Sequence, residues 1–271
     1  MADLNLYFPQ WQGGGQKSLY IGAAAARKGL NLKSRLTEVK LDSEEKLEKE
    51  NEIIGYRPIV KQLETANKMI KEKKPYSIFT LGGGCDVELA PISYLNQYYD
   101  KEMSVLWIDA HAGLNTPETS QNNLFHGMPL RTLLEDSINE IDKLCFSKIT
   151  PEQVVLMGAR DLEPAEEKYI QEKQIKHMSP DDVIWTDPTE WIENLKPQVY
   201  LHISLDVMDE KTFPKTLRPA GKGLQFKHLL GLIEKLETER RIVGMSLLDY
   251  ASSEPLISDE LKKIAAVGLW I

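Results

Sequence analysis

The sequence contains only two cysteines, Cys85 and Cys145, and they stand in unrelated contexts. So few cysteines exclude a disulfide framework, and their spacing excludes a CxxC metal knuckle. No apolar run approaches the roughly 20 residues that a membrane span needs. No apolar segment follows a basic start, as it would in a secretory signal. We therefore expect a protein of the reducing cytoplasm with no membrane partner.

An excess of positive charge is also missing, since 33 Lys and Arg residues face 41 Asp and Glu residues, for a formal net charge of −8. Nucleic acids and anionic lipids favour clustered basic residues, whereas the basic residues here are scattered among glutamates. Linkers rich in Pro, Gly or Ser and internal repeats are absent as well. The 271 residues are therefore predicted to form one domain, 1–271, that does not bind nucleic acid.

Short apolar runs alternate with segments of helical periodicity along most of the chain. The predicted strands are Leu4–Phe8, Leu36–Leu41, Tyr76–Leu81, Ser104–Ile108, Val154–Met157, Val199–Leu205 and Ile242–Leu248. The predicted helices are Gly22–Leu30, Tyr56–Lys71, Val87–Tyr99, Leu130–Leu134, Glu163–Glu172, Gln225–Leu236 and Ser258–Ala266. The charged stretch Ser43–Asn51 is expected to be exposed. This alternation predicts a mainly parallel sheet with helices on both faces, a three-layer α/β/α sandwich.

Acidic residues follow several of the predicted strands. They are Asp86, Asp109, Asp161, Asp206, Asp209 and Asp249. A single Asp after a strand is usually a turn residue or a helix cap. The carboxyl ends of parallel strands, however, meet at one edge of a sheet, where ligands bind. A carboxylate cluster there needs cations to be stable, and metal ions are the usual ones. His111, which forms an Asp-x-His pair with Asp109, and His126, which lies in the long loop that follows, strengthen the case for a metal site.

Six segments of the sequence carry a resemblance that spans nearly the whole chain. They read YFPQWQGGG, LGGGCDVELAPISYL, WIDAHAGLNTPETSQNNLFHGMPL, MGARDLEPAEE, HISLDVMD and MSLLDYASSE. They resemble the arginase, agmatinase and formimidoylglutamase family, the ureohydrolases. The resemblance implies a three-layer α/β/α fold, two manganese ions, and hydrolysis of C–N bonds in guanidino or formimino compounds. It also implies an amidine or amino-acid-like small-molecule ligand and a homo-oligomer, a trimer or hexamer by family habit.

Three of the six metal-ligand positions implied by the resemblance are substituted. The family's Gly-Gly-Asp-His-Ser motif reads Gly-Gly-Gly-Cys-Asp here, which puts Cys85 in place of a histidine. Its Asp-Ala-His-x-Asp motif ends in Gly113 instead of an aspartate. In its Asp-x-Asp motif, Ser204 stands where the bridging carboxylate is expected. Cys85 is interpreted as a small buried residue that fills the place of the histidine, with a zinc ligand and a reactive thiol as alternatives.

Asp109, His111 and Asp206 remain, and the resemblance assigns all three to one metal position. Two carboxylates, formally −2, neutralise one divalent ion rather than two, so a dinuclear manganese centre is not expected. Three protein ligands and an open position are the usual way to hold a catalytic zinc. The retained set therefore predicts at most one divalent ion, manganese or zinc.

The resemblance also implies roles for residues around the ion. His126 matches the proton shuttle of the family, and Asp249 stands where the family has a glutamate that pairs with the guanidinium. Asn115, Glu163 and Glu166 match positions that recognise the amino-acid end of the substrate in arginases. In contrast, His202 lies within a strand among apolar neighbours and is interpreted as a core histidine.

Two hypotheses about function follow. In the first, the protein is a divergent hydrolase that uses one ion, with His126 as general acid and base and Asp249 orienting a cationic group. In the second, it is a metal-free pseudoenzyme that keeps the fold for ligand binding, assembly or regulation. The retained half of the metal site favours the first, and the three substitutions favour the second.

Overall fold

The computed structural model describes residues 3–32, 35–41, 46–135, 139–256 and 258–271. The strands in chain order are β1 (Leu4–Phe8), β2 (Thr37–Glu38), β3 (Lys49–Glu50), β4 (Ile53–Ile54), β5 (Ile78–Gly82), β6 (Met103–Ile108), β7 (Val154–Met157), β8 (Lys176–Met178), β9 (Gln198–Ile203) and β10 (Arg241–Leu247). Eight of them form one sheet in the order β2-β1-β5-β10-β9-β6-β7-β8. All neighbours in this sheet are parallel, whereas β3 and β4 form a separate antiparallel pair.

Helices connect the strands and cover the sheet. They are α1 (Ser18–Gly29), α2 (Tyr56–Lys73), α3 (Leu89–Tyr98), α4 (Pro129–Leu134), α5 (Asn139–Asp142), α6 (Pro164–Lys173), α7 (Pro180–Trp185), α8 (Thr189–Ile192), α9 (Phe226–Glu239) and α10 (Asp259–Trp270). A short 3-10 helix, Cys85–Glu88, leads from β5 into α3.

Two hydrophobic clusters lie on opposite faces of the sheet. In β6, Val105 and Trp107 belong to one cluster and Leu106 and Ile108 to the other, as the alternation of side chains along a strand requires. The first cluster includes residues of α2 to α6, and the second includes residues of α1 and of α8 to α10. Because both faces are covered, the strands are nearly continuous apolar runs. The predicted three-layer α/β/α sandwich is confirmed.

The boundaries differ from prediction mainly at the edges of the sheet. Of the predicted strand Leu36–Leu41, only Thr37–Glu38 pairs with β1, and both residues are exposed. The opposite edge strand, β8, was not predicted, because two of its three residues are exposed and it has no apolar run. Within the stretch predicted to be exposed, residues 43–45 lie outside the described residues, and Lys49–Glu50 forms β3.

The fold brings the candidate residues to one place. The carboxyl ends of β5, β10, β9 and β6, which are neighbours in the middle of the sheet, carry Cys85, Asp249, Asp206 and Asp109 respectively. Four chemically active side chains thus meet at one edge of the sheet, as the strand-end pattern predicts. None of the helices formed by the described residues has the length and apolar character to cross a membrane.

Candidate metal centre

A small pocket lies at the carboxyl edge of these four strands. Its volume is about 100 Å³, which is less than the roughly 300–1,000 Å³ of most small-molecule sites. The predicted residues that line it are Cys85, Asp109, His111, Gly113, Asn115, His126, Glu163, Glu166, Asp206 and Asp249. Ser204, the remaining predicted position, is fully buried, and its hydroxyl accepts a hydrogen bond from the backbone N–H of Asp206 at 3.2 Å.

Asp109, His111 and Asp206 converge on one point of the pocket wall. The Nδ1 of His111 lies 3.5 Å from Asp109 Oδ1 and 3.5 Å from Asp206 Oδ2. Each of the three residues offers a ligand atom within 4.8 Å of the others. The second oxygen of Asp206 accepts from the backbone N–H of Arg218 at 3.0 Å, which fixes the orientation of this carboxylate.

The electrostatics of this trio suit a cation. Burial alone would lower the pKa of His111, but its hydrogen bond to Asp109 and the charges of Asp109 and Asp206 raise it to about 9. Burial, followed by repulsion from Asp249 and Asp109, raises the pKa of Asp206 well above its usual range. Metal ligands bind in their deprotonated forms, so a divalent ion can take the place of the protons that the trio retains. The donor set therefore fits one divalent ion.

Cys85 lies on the other side of Asp109. Its thiol donates to Asp249 Oδ2 at 3.0 Å, and its Sγ lies 3.5 Å from Asp109 Oδ2. Burial, together with the negative charges of Asp249 and Asp109, raises the pKa of this thiol well above its usual range. In the absence of a cation, Cys85 is therefore a neutral thiol.

His202 is fully buried beneath the pocket and contacts the same carboxylate. Its Nδ1 lies 3.1 Å from Glu88 Oε1, and its Nε2 lies 3.5 Å from Asp109 Oδ2. Its ring stacks on Trp107 at a centroid distance of 3.6 Å. Burial alone would lower the pKa of His202, but the hydrogen bonds to Asp109 and Glu88 raise it to about 9. His202 is thus a buried histidine with a partner on each nitrogen, and one of these partners is a candidate ligand.

Asp109 lies between two groups of side chains, His111 with Asp206 and Cys85 with His202. Burial would raise the pKa of its carboxyl group, but hydrogen bonds from His111 and His202 hold it well below its usual range. Oδ1 faces His111, which also donates its backbone N–H to this oxygen at 3.1 Å. Oδ2 faces Cys85 and His202. Asp109 is therefore an ionised carboxylate with a different set of neighbours at each oxygen.

His126 lines the pocket and is neutral. Both ring nitrogens are buried and have no hydrogen-bond partner among the described residues. Burial, and secondarily the charge of Arg218, lowers the pKa of His126 to about 3. Its backbone N–H donates to the carbonyl of Gly13 at 3.1 Å, which ties the glycine-rich loop to the pocket.

Asp86 explains why a glycine stands at position 13. Both carboxylate oxygens of Asp86 are buried without a partner among the described residues, and burial raises its pKa to about 7. A Cβ atom on Gly13 would lie 2.3 Å from Asp86 Oδ2. The loop and the buried carboxyl group can therefore pack together only if residue 13 has no side chain.

The three residues predicted to recognise a substrate have different surroundings. Glu166 is buried and accepts from the backbone N–H groups of Leu114 at 2.9 Å and Glu163 at 3.0 Å, so its carboxylate joins a pocket loop to the start of α6. Asn115 Oδ1 accepts from the Thr119 hydroxyl at 2.9 Å. Glu163 Oε2 is buried and has no partner among the described residues.

Asp249 has an unusual backbone. Its φ is 65°, in the left-handed region, and its N–H donates to the carbonyl of Gly83 at 2.7 Å. A non-glycine residue held there costs energy. Burial and repulsion from Asp109 raise the pKa of its carboxyl group to about 6.

The model of the Arginase family matches residues 18–263. The chain belongs to the arginase family. Over 219 residues it is 29% identical to an arginase of Staphylococcus aureus, an alignment that covers 77% of this chain and 72% of that protein. It is also 31% identical to an arginase of Bacillus subtilis over 197 residues. This alignment covers 69% of this chain and 64% of that protein. The crystal structure of Entamoeba histolytica arginase in complex with L-ornithine has a similar fold, with a TM-score of 0.85, 18% identity, and coverage of 98% of this chain and 97% of that one.

The sequence of this arginase-family protein did not reveal two contacts of the centre. Asp161 lies 3.2 Å from His111 Nε2 and is the exposed partner of that histidine. The contact of His202 with Asp109 was also missed, although one signal was present. His202 lies near the carboxyl end of β9, four residues before Asp206, and therefore close to the strand end where the predicted ligands meet.

Proposed function

We propose that this arginase-family protein hydrolyses C–N bonds in linear amidines, guanidino or formimino compounds, with one divalent ion, manganese or zinc. The ion is held by Asp109, His111 and Asp206. The observation that supports this proposal is the placement of His111 Nδ1, 3.5 Å from an oxygen of each aspartate, on the wall of the pocket. Bound there, the ion supplies a Lewis acid that lowers the pKa of a bound water to roughly 7.

The surrounding residues receive roles that follow from their contacts. His126 is assigned the role of general acid and base, because both of its ring nitrogens are unpartnered among the described residues and are therefore available to a reacting group. Asp249 attracts the cationic amidinium and orients it. Glu163 and Asn115 bind the polar end of an amino-acid-like ligand. Glu166 contributes indirectly, because its oxygens already hold two backbone N–H groups in place.

The family resemblance extends the proposal to assembly and location. We propose a homo-oligomer, a trimer or hexamer, in the cytoplasm.

The proposal is tested by metal content and amidine hydrolysis in matched variants. The chain is stripped with a chelator, loaded with manganese or zinc, and assayed for release of urea from guanidino compounds and of formamide from formimino compounds. His111→Ala and Asp206→Asn each remove one donor of the trio, so both are expected to lose activity and to bind manganese at least ~100-fold more weakly. The control is Asp161→Asn, which changes an exposed neighbour of the same histidine and is expected to keep the ion. Unchanged manganese affinity in both variants would exclude this site.

One observation favours the pseudoenzyme alternative. The donor groups form hydrogen bonds with neighbouring side chains without an ion, since the Cys85 thiol donates to Asp249 and His202 is hydrogen-bonded to Glu88. If this alternative is correct, manganese and zinc raise the melting temperature of the protein by no measurable amount. Amino-acid-like ligands still raise it.

A further inference from the structure

A second group of donor atoms lies behind the proposed hydrolytic site. Cys85, Asp109 and His202 each offer a ligand atom within 4.8 Å of the others, and all three residues are buried. Asp109 Oδ2 lies 3.5 Å from Cys85 Sγ and 3.5 Å from His202 Nε2. Asp249 Oδ2 lies 3.0 Å from the same sulfur and accepts a hydrogen bond from the thiol.

Two separations in this group match those around a tetrahedral zinc ion. Zinc binds sulfur at about 2.3 Å and nitrogen or oxygen at about 2.0–2.2 Å. With tetrahedral angles, these bond lengths place neighbouring donors roughly 3.3–3.6 Å apart. The two separations of 3.5 Å about Asp109 Oδ2 fall in this range.

The orientation of His202 is already that of a metal ligand. Its Nδ1 is bonded to the Glu88 carboxylate, which leaves Nε2 directed at Asp109. A histidine that binds a metal through one nitrogen almost always gives the other to a carboxylate or carbonyl in this way. Stacking on Trp107, with 13° between the ring planes, fixes the plane of the imidazole.

The charges also favour a second cation. The limit of one ion predicted from the sequence counts Asp109 and Asp206 only. The structure adds the carboxylates of Asp249 and Glu88 to the centre, together with a thiol that ionises when it binds a metal. A cluster of this kind attracts a thiophilic ion, because thiolate and imidazole favour zinc over the harder manganese.

We propose that Cys85, Asp109 and His202, assisted by Asp249, form a binding site for a thiophilic divalent ion such as zinc. The site goes beyond the proposed hydrolase function and does not require the first site to be occupied. Asp109 serves both sites, with Oδ1 toward His111 and Oδ2 toward the sulfur. The ion enters from the pocket, because Cys85, Asp109 and Asp249 line it.

Cobalt binding to the metal-free, full-length chain provides the decisive test, since a thiolate bound to cobalt gives a charge-transfer absorption band in the near ultraviolet. The band is expected in the wild-type protein and is expected to disappear in Cys85→Ser, which preserves the size of the side chain. The matched control is Cys145→Ser at the only other cysteine, and it keeps the band. Absence of the band in the wild-type protein saturated with cobalt overturns the proposal, whatever the variants do.

Zinc affinity separates this proposal from the hydrolytic site. Cys85→Ser is expected to lose one zinc per chain, whereas His111→Ala keeps the zinc bound at Cys85. Glu88→Gln, which touches no ion, is expected to weaken zinc binding about 10–100-fold by loosening His202. If zinc content depends on His111 but not on Cys85, this inference fails and the hydrolytic site stands. If zinc content depends on Cys85 but not on His111, the inference stands and the hydrolytic site does not bind zinc. A chain that binds no zinc excludes the site at Cys85, whereas the hydrolytic site is then tested by its manganese affinity.

Discussion

The centre has an inner side, beneath the pocket around Glu88 and His202, and an outer side, at the rim around Asp161 and Glu166. The charged side chains on the two sides are stabilised by different partners. On the inner side, Glu88 and His202 are fully buried, and each has another side chain as its partner. On the outer side, Asp161 is exposed to water and Glu166 is held by backbone N–H groups. Asp109 belongs to both sides. Charge in this pocket is therefore tolerated for two reasons, pairing in the interior and solvation at the rim. Removing a partner costs more free energy in the interior.

The largest expected effect comes from Asp109→Asn. His111 and His202 both lose the carboxylate that raises their pKa values, and a charged His202 has only Glu88 left as a partner. Breaking a buried charge pair costs about 3–5 kcal/mol, so we expect the free energy of unfolding of the metal-free protein to fall by this amount near neutral pH. Urea denaturation measures it. Asp161→Asn, on the outer side, is expected to change it by less than about 1 kcal/mol. Equal losses in the two variants would break the distinction between the sides.

Asp86→Asn probes a buried carboxyl group beside the glycine-rich loop, which lacks the partners that Glu88 and His202 have. Its pKa is about 7 in the folded protein against 3.8 as the ordinary value. Between these values the folded state binds more protons than the unfolded state, so its contribution to stability is present below about pH 4 and is lost as the pH rises to 7. The variant cannot ionise at this position. We therefore expect it to exceed the wild-type protein in free energy of unfolding by more than about 1 kcal/mol at about pH 8, with the gap closing near pH 4.

Urea denaturation across this pH range checks the prediction. Asp181→Asn, at an exposed position, serves as the control and should follow the wild-type curve. A gap between Asp86→Asn and the wild-type protein that does not change with pH would show that Asp86 is not ionised by the rise in pH.

The smallest expected effect is that of Glu166→Gln on the outer side. The amide keeps one oxygen acceptor but loses the charge that strengthens the bonds from Leu114 and Glu163. We expect a loss of about 1 kcal/mol in stability and little change in the affinity for amino-acid-like ligands, measured by calorimetry. Glu163→Gln, at a carboxylate with a free oxygen among the described residues, should show the opposite pattern. A strong loss of ligand affinity in Glu166→Gln alone would instead show that Glu166 contacts the ligand directly.

The sequence predicted the central part of the fold and of the centre because these depend on local patterns. The apolar run before Asp109 identified β6, and the rule that parallel strands end together predicted the meeting of Asp109, Asp206 and Asp249. β8 was not predicted, because an exposed edge strand has no apolar pattern.

The pairing of His202 with Glu88 could not be predicted, since the two residues are 114 positions apart and nothing local connects them. His202 was correctly interpreted as a core histidine with satisfied nitrogens. Its proposed role as a metal ligand depends on the orientation of its ring. The Glu88 carboxylate and the Trp107 ring determine that orientation only once the sheet has formed.

The position of β10 has a consequence for how the protein is made. β10 is the last strand in the chain, yet it lies between β5 and β9 and joins β2-β1-β5 to β9-β6-β7-β8. Cys85 follows a strand of the first group, whereas Asp109 and Asp206 follow strands of the second. During synthesis the two groups cannot be joined until residues 241–247 have left the ribosome, and non-local parallel pairing of this kind is slow. Cys85 and Asp109 are therefore brought together only after β10 has paired with both groups, whereas Asp109, His111 and Asp206 follow neighbouring strands of a single group. An ion that needs Cys85 thus meets its complete set of ligands later than an ion that needs only those three residues.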